Sequence, residues 1–177
     1  MRVRESKIRI RPATRRDINL LVRIHNSSII QSGEDGFSAP RTQQTFADQE
    51  RLNASWREPN NVEGEEVIVA EVEDVAVAYV TFEDKGDVVE LDNIDVTSDH
   101  QGRGIGTLIV KFLEERARRE GKVAVTLGTS RSAAGVAWRS LPWWLALGYQ
   151  VTGEEENEWT RSIGPGVREI RMRKELN

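Results

Sequence analysis

The chain has 177 residues, of which 38% are hydrophobic and 31% are charged, and its formal net charge is −4. This length predicts a single domain over residues 1–177, because one hydrophobic core commonly serves roughly 100–200 residues. The absence of cysteine excludes a disulfide framework, a zinc ribbon and a cysteine nucleophile, and it is compatible with a cytoplasmic location. No segment approaches the roughly 20 apolar residues of a membrane-spanning helix, and the negative net charge argues weakly against general nucleic-acid binding.

Charge is distributed unevenly along the sequence. The first sixteen residues hold seven basic residues and one acid, whereas the segment from Arg57 to Asp95 holds thirteen acids and two basic residues. Two interpretations of the acidic segment stay open. Its carboxylates either cover solvated faces of the protein or form an acidic wall that concentrates a cationic ligand.

The hydrophobic pattern of the first third of the chain predicts a strand, a helix and an irregular segment. Alternation predicts the strand at Lys7–Arg11, and apolar residues at helical spacing predict the helix from about Ile18 to Asn26. Glycine and proline are frequent from Ser27 to Gly64, where one helix is predicted near Thr42–Trp56. Such a segment either builds a binding site or forms a simple surface loop.

The remaining sequence predicts most of a sheet and one strong amphipathic helix, which begins near Ile105 and ends before Gly121. A break in alternation near Asn93 indicates a bulge or a splayed strand end. The predicted strands are Val67–Val72, Val75–Phe82, Val88–Val96, Val123–Leu127, Tyr149–Gly153 and Val167–Lys174, with a Trp-rich helical stretch before Gly148. This order predicts an α/β (α+β) fold with a mixed, mostly antiparallel sheet of six or seven strands flanked by helices.

The clearest chemical motif is SDHQGRGIGT, from Ser98 to Thr107, between a predicted strand and the strong helix. Its three glycines allow a ligand to approach the backbone closely, and the free N–H groups at a helix N-terminus favour an anion such as pyrophosphate. Arg103 adds a cation and Thr107 adds a hydroxyl. The motif lacks the spacing of a Rossmann fingerprint and the lysine of a P-loop, and a tight structural turn is the alternative explanation.

Gln101, Gly104 and Gly106 match the Q/R-x-x-G-x-G/A signature, so the sequence resembles the GNAT superfamily of N-acetyltransferases. The segments ELDNIDVTSDH and WWLALGY extend the similarity. The resemblance implies the GNAT fold, acetyl-CoA or another acyl-CoA as co-substrate, and direct acyl transfer to an amine. It also implies a set of residues that bind the cofactor. These are Ile94, Asp95 and Val96 for the pantetheine arm, and Gln101, Gly102, Arg103, Gly104, Ile105, Gly106 and Thr107 for the pyrophosphate.

The reaction needs a general base, because a protonated amine must lose a proton before it can attack. Glu90 is the predicted base. It lies eleven residues before Gln101, where one branch of the family carries its base. Asp92 has the same parity on the strand and is the second candidate, while a solvent-facing strand residue is the alternative for Glu90. Trp144 stands where the family often has a tyrosine that protonates the leaving thiolate, so no dedicated acid is expected.

The sequence therefore predicts an N-acetyltransferase that uses acetyl-CoA to acetylate the primary amine of a small molecule. A protein N-terminus or lysine is the alternative acceptor, and a non-catalytic acyl-CoA-binding module is the alternative of a different class. The two histidines are too isolated to form a metal site, so no metal is expected. The acyl chain length and the formation of a homodimer are left open.

Overall fold

The structure is a computed structural model that describes residues 7–32 and 44–177, with backbone alone for 29–32. These residues form one sheet of nine strands, flanked by five helices. The strands are β1 (Ile8–Pro12), β2 (Trp56–Arg57), β3 (Asn61–Val62), β4 (Glu65–Val72), β5 (Val75–Asp84), β6 (Val88–Val96), β7 (Ala124–Arg131), β8 (Gln150–Glu155) and β9 (Arg168–Glu175). The helices are α1 (Ile18–Ser32), α2 (Gln49–Ser55), α3 (Ile105–Arg119), α4 (Leu141–Ala146) and α5 (Glu158–Ile163).

The sheet runs in the order β2-β3-β4-β5-β6-β7-β9-β8, and β1 pairs with β4. Every pair is antiparallel except β6 with β7, which are joined by the crossover through α3. The predicted fold class is therefore confirmed. The sheet exceeds the predicted six or seven strands because β2 and β3 have only two residues each and leave no alternating pattern in the sequence.

Several helix boundaries differ from the sequence prediction. Helix α1 continues to Ser32 instead of ending near Asn26. The helix expected near Thr42–Trp56 is the shorter α2, whose first turn is capped by Asp48, and Thr42 lies outside the described residues. Helix α5 was not predicted, and it begins after Asn157, whose side chain accepts a hydrogen bond from the N–H of Thr160 and so caps the first turn.

Hydrophobic cores cover both faces of the sheet, and successive residues of β4 point alternately into one core and the other. Ile68 and Ala70 belong to the core that packs on α3, whereas Val67 and Val69 belong to the core on the side of α1 and α2. A strand that buries residues on both faces loses polar alternation, which explains the apolar run in β4. No helix among the described residues is both long enough and apolar enough to cross a lipid bilayer.

Arg11 on β1 connects two buried carboxylates. Its guanidinium donates to Asp17 at 2.8 Å and to Glu71 at 2.7 Å, and Arg9 also donates to Glu71. Burial opposes ionisation of both acids, but these hydrogen bonds hold the pKa values of Asp17 and Glu71 below their ordinary values. The network fixes β1 to β4 and to the turn that precedes α1.

We expect Glu71→Gln to lower the free energy of unfolding by about 1–3 kcal/mol at pH 7, because two guanidinium groups lose an ionised acceptor. A carboxylate whose folded-state pKa is lowered stabilises the protein above its unfolded-state pKa, and that stability is lost as the pH falls through the folded-state pKa. The difference between variant and wild type should therefore shrink between pH 7 and pH 3, as measured by urea denaturation. Glu73→Gln, on the exposed β4–β5 turn, is the matched control, and equal losses for the two variants at pH 7 would contradict the assignment.

Candidate active site

The site begins where the two parallel strands of the sheet separate. Strands β6 and β7 pair from Val88 with Ala124 to Leu91 with Leu127, and the pairing then ends. A cavity of about 1190 Å³ opens in this gap. Its walls include residues 92–96 of β6 and residues 128–130 of β7. The splayed strand end that the sequence predicted near Asn93 is thus present.

The predicted anion loop lies at one end of the cavity. Gly102 and Gly104 adopt positive φ angles of 74° and 80°, and α3 begins directly after Gly104. The first N–H groups of a helix have no acceptor within the helix, so they are free to bind a ligand. A Cβ atom at Gly104 would meet nothing within 4 Å, which means that open space borders this loop. Six of the seven predicted loop residues line the cavity, and Arg103 is the exception.

Some loop residues act through contacts that the sequence did not indicate. The amide of Gln101 donates to the carbonyl of Val96 at 3.0 Å and so fixes the loop to β6. The indole N–H of Trp143 donates to the hydroxyl of Thr107 at 3.2 Å, and the same ring would lie 3.4 Å from a Cβ atom at Gly106. The absence of a side chain at Gly106 therefore leaves room for Trp143 of α4, in addition to the predicted contact of this glycine with a ligand.

A pair of carboxyl groups faces the cavity at the start of the gap. Thr81 pairs with Asn93 and Phe82 with Leu91, so Asp92 is the extra residue of a bulge. The carboxyl group of Glu65, on β4, is hydrogen-bonded to that of Asp92. Burial and this neighbour raise the pKa of Glu65 to about 8. The pair can therefore keep a proton at neutral pH.

The pKa of Asp92 is raised as well, first by burial and then by the charges of Glu90 and Glu83. The sequence prediction did not include Glu65, although the turn at Gly64 and the start of the apolar run of β4 lie beside it. Its meeting with Asp92 depends on the register of three strands, which no local pattern reports.

Glu90, the predicted base, is engaged elsewhere. Its carboxylate lies 2.7 Å from the guanidinium of Arg171 on β9 and accepts a hydrogen bond from Thr126 on β7. It is not among the residues that line the cavity, whereas Asp92 is. Catalysis by Glu90 stays a prediction, and the negative charge of this residue raises the pKa of Asp92.

A buried polar cluster forms the wall beneath Asp95. Tyr79 donates its hydroxyl to the Asp95 carboxylate at 2.5 Å, and His25 Nδ1 lies 3.1 Å from the same oxygen. The other ring nitrogen of His25 lies 2.6 Å from the side-chain oxygen of Gln44. Burial, together with the charge of Asp95, raises the pKa of Tyr79 well above its ordinary value, so this phenol keeps its proton. The side chain of Asp95 is thus bound to the interior.

Neither tyrosine offers a free phenol to the cavity. Tyr149 donates its hydroxyl to Glu114 at 3.3 Å, and it packs edge-on against Trp144. Burial and the charge of Glu114 raise its pKa above the ordinary value. Among the described residues, no group of three or more His, Cys, Asp or Glu side chains could hold a metal ion.

The raised pKa of Glu65 can be tested directly. We expect Asp92→Asn to lower the pKa of Glu65 from about 8 toward 4.5, because the variant removes the neighbouring carboxyl group. Titration of the Glu65 side-chain carboxyl carbon by NMR measures this. Glu83→Gln should lower the same pKa by less, since Glu83 acts on Glu65 through its charge alone. A wild-type value near 4.5, or equal shifts in the two variants, would refute the carboxyl pair.

Comparison with known proteins agrees with this geometry. The model of the acetyltransferase (GNAT) family matches residues 29–137, which include the β6–β7 gap and the glycine loop. No curated protein sequence matches the chain significantly.

Among solved structures, the PaiA N-acetyltransferase of Thermoplasma acidophilum, in complex with coenzyme A, has a TM-score of 0.74 at 14% identity, over 96% of this chain and 99% of that chain. The ribosomal-protein-S18-alanine N-acetyltransferase of Escherichia coli has a TM-score of 0.69 at 15% identity, over 97% and 95%. YncA of Salmonella typhimurium, solved with its cofactor acetyl-CoA, has a TM-score of 0.66 at 24% identity, over 96% and 94%. These likenesses establish the fold. Since the family model also matches more than half of the sequence, this chain belongs to the GNAT family of acetyltransferases.

Proposed function

We propose that the protein is an acetyl-CoA-dependent N-acetyltransferase that transfers an acetyl group directly to the primary amine of a small molecule, as one cytoplasmic domain over residues 1–177. One observation carries this proposal. A single cavity joins the glycine loop at the start of α3 to the Glu65–Asp92 pair, across the gap between β6 and β7. A candidate anion site and a candidate proton acceptor therefore open into the same space.

Two features of the chain suit the coenzyme A part of the donor. The N–H groups in the first turn of α3 suit its pyrophosphate, and the open space beside Gly104 leaves room for it. The backbone of residues 94–96 pairs with β5 on one side but has no β7 partner on the other. That free edge suits the amide groups of the pantetheine arm, which would bind as an added strand does.

In the proposed reaction, the amine nitrogen attacks the thioester carbonyl carbon, the carbon–sulfur bond breaks, and coenzyme A leaves as a thiolate. Before the attack, the substrate ammonium gives one proton to the carboxyl pair and becomes a neutral amine, and Asp92 is the member of the pair at the mouth of the gap. The pair replaces Glu90 in this role, because Glu90 is ion-paired with Arg171. A backbone N–H of β6 near Ile94 is the proposed donor to the oxyanion.

The leaving thiolate needs no dedicated acid in this proposal. A thiolate with a pKa of about 8.5, near that of cysteine, leaves readily at neutral pH. Trp144 is buried and packs against Tyr149, and the hydroxyl of Tyr79 is bound to Asp95. Solvent, or the positively charged nitrogen of the tetrahedral intermediate as it loses its second proton, therefore protonates the thiolate.

The proposed base can be tested with three substitutions. Asp92→Asn should lower kcat/KM by roughly 10²–10⁴ at pH 7, and the loss should shrink at high pH, where the substrate amine deprotonates by itself. Glu90→Gln should keep kcat/KM within about tenfold of the wild-type value, because Glu90 is not the base in this proposal and the loss of a general base costs more than about tenfold. Glu66→Gln is the matched control, since Glu66 follows Glu65 in β4 but binds Arg116 at 2.9 Å and does not line the cavity. A loss of roughly 10² or more in Glu90→Gln, with Asp92→Asn nearly normal, would return the role to Glu90.

The donor site can be tested with two glycines that differ only in position. Acetyl-CoA should raise the Tm of the wild type, because a ligand that binds only the folded state stabilises it. Gly104→Val should abolish that rise, since its side chain fills the space beside the loop. Gly121→Val should preserve the rise. Gly121 has a similar φ of 77° and open surroundings but lies beyond the other end of α3, so both variants carry similar backbone strain. A folded Gly104→Val protein with an unchanged rise would place coenzyme A elsewhere.

A further inference from the structure

We propose that the acceptor is a linear amine with a second cationic group, as in an α,ω-diamine, and that Glu63 binds this distant group. The inference rests on the proposed function, because it concerns the amine side of the same cavity. It separates cationic amines from amino acids, whose carboxylate would face the same acidic wall.

In the acidic segment from residue 57 to residue 95, most acids outside the cavity form ion pairs with lysine or arginine, whereas within the described residues the acids that line the cavity do not. Six of its thirteen acids form ion pairs with these cations, namely Glu58, Glu66, Glu71, Glu83, Asp84 and Glu90. Three more lie on exposed turns, namely Glu73, Asp74 and Asp87. The remaining four are Glu63, Glu65, Asp92 and Asp95, and all four line the cavity. The fold therefore leaves uncompensated carboxylates where an acceptor would bind.

Three of these four acids have an internal partner. Asp95 is bound by Tyr79 and lies beside His25, while Glu65 and Asp92 share a hydrogen bond. The Glu63 carboxylate accepts hydrogen bonds only from neutral hydroxyl groups among the described residues. Those donors are Thr45 at 3.0 Å and Ser55 at 3.5 Å. A neutral hydroxyl leaves the negative charge uncompensated, so this carboxylate can attract a cation.

The position of Glu63 suits the far end of an extended substrate. It lies on the turn between β3 and β4, with a φ of 54°, two residues before Glu65. Its bonds to Thr45 and Ser55 connect this turn to the elements that precede β2. An amine that gives its proton to the carboxyl pair can thus place a second charge at the exposed rim.

Apolar side chains line the same part of the cavity. Phe46 stacks on Tyr79 with ring centroids 4.9 Å apart, and both residues are buried, as is Val62 beside Glu63. These surfaces suit methylene groups rather than a third polar group. Carboxylates at two points with apolar surface nearby match an alkyl chain that carries an ammonium at each end.

Two cationic side chains near this region do not neutralise the negative charge of Glu63. Arg139 lines the cavity from the segment after β7, with its guanidinium 5.4 Å from the centre of the Trp138 ring. Lys85 is close enough to act on Asp92 but is bound to Glu83 at 3.0 Å. Neither residue forms an ion pair with Glu63 in the described part of the chain.

The test compares three four-carbon amines that carry a different group at the far end. These are 1,4-diaminobutane, n-butylamine and 4-aminobutanoate, together with their six-carbon homologues, assayed by thiol release from acetyl-CoA. We expect kcat/KM for the diamine to exceed that for the monoamine about threefold to fivefold, because an ion pair at the exposed rim is partly screened by solvent. The amino acid should be the poorest. The preference for the diamine should shrink at high ionic strength, because salt screens exposed charges.

Two variants identify the carboxylate responsible. Glu63→Gln should lower the ratio of kcat/KM for the diamine to kcat/KM for n-butylamine severalfold, because glutamine still accepts from Thr45 and Ser55 but carries no charge. Glu73→Gln is the matched control. It too is a glutamate at positive φ, 51°, on a hairpin turn of the same acidic segment, but it does not line the cavity.

Each outcome bears on a different claim. Equal turnover of diamine and monoamine, or better turnover of the amino acid, overturns this inference and leaves the proposed function intact. An unchanged diamine preference in Glu63→Gln overturns the role of Glu63. If acetyl-CoA raises the Tm but no probe releases thiol, the small-amine acceptor fails and this inference fails with it. Thiol release with lysine-containing peptides alone would then assign the acceptor to proteins.

Discussion

The end of parallel pairing after Leu91 and Leu127 is the constraint on which the site depends. Beyond this point β6 keeps its hydrogen bonds to β5 but has no partner on the β7 side. Buried backbone groups must find partners, so an open strand edge inside a cavity calls for water or for a ligand with amide groups. The bulge at Asp92 occurs at the same place, and the carboxylate of this residue lines the opening. Under the proposed function, the donor and the acceptor therefore meet where this strand pair separates.

Features of the site that depend on neighbours in the chain could be predicted from the sequence. The loop glycines precede the apolar repeat of α3 directly, and Gly102 and Gly104 do have the positive φ that such a loop requires. The irregularity near Asn93 was visible because alternation fails within a few residues. Strands β2 and β3 were not, because two residues cannot show a period.

The carboxyl pair could not be predicted, because its members meet only through tertiary pairing. Glu65 reaches Asp92 across β5, and the bulge in β6 decides which carboxylate faces the cavity. Parity alone could not distinguish Asp92 from Glu90. The partner of Glu90 is Arg171, which lies 81 residues later in the chain. The ion pair of Glu90 and the bulge at Asp92 are therefore the two features that the sequence pattern did not report.

Glycine at position 128 of β7 leaves room for a second carboxylate beside the partner of Glu90. A Cβ atom at Gly128 would overlap the carboxylate of Glu169, which holds Arg171 at 3.0 Å. Glycine at this position therefore lets Glu169 fix Arg171 beside Glu90. A glycine in the middle of a strand weakens the strand, and the close approach of Glu169 explains why a glycine is present at this position.

Under the proposed function, electrostatics also connects acceptor binding to activation of the base. Burial and like charge keep the pKa of Glu65 at about 8, so at neutral pH the pair holds a proton and the cavity carries less charge than its acids suggest. A nearby positive charge favours the ionised form of a carboxyl group and lowers its pKa. An ammonium entering beside Asp92 therefore drives the shared proton out to solvent. The ionised fraction of the pair therefore rises when an ammonium binds, so the charge that selects the substrate also favours the form of the pair that accepts a proton.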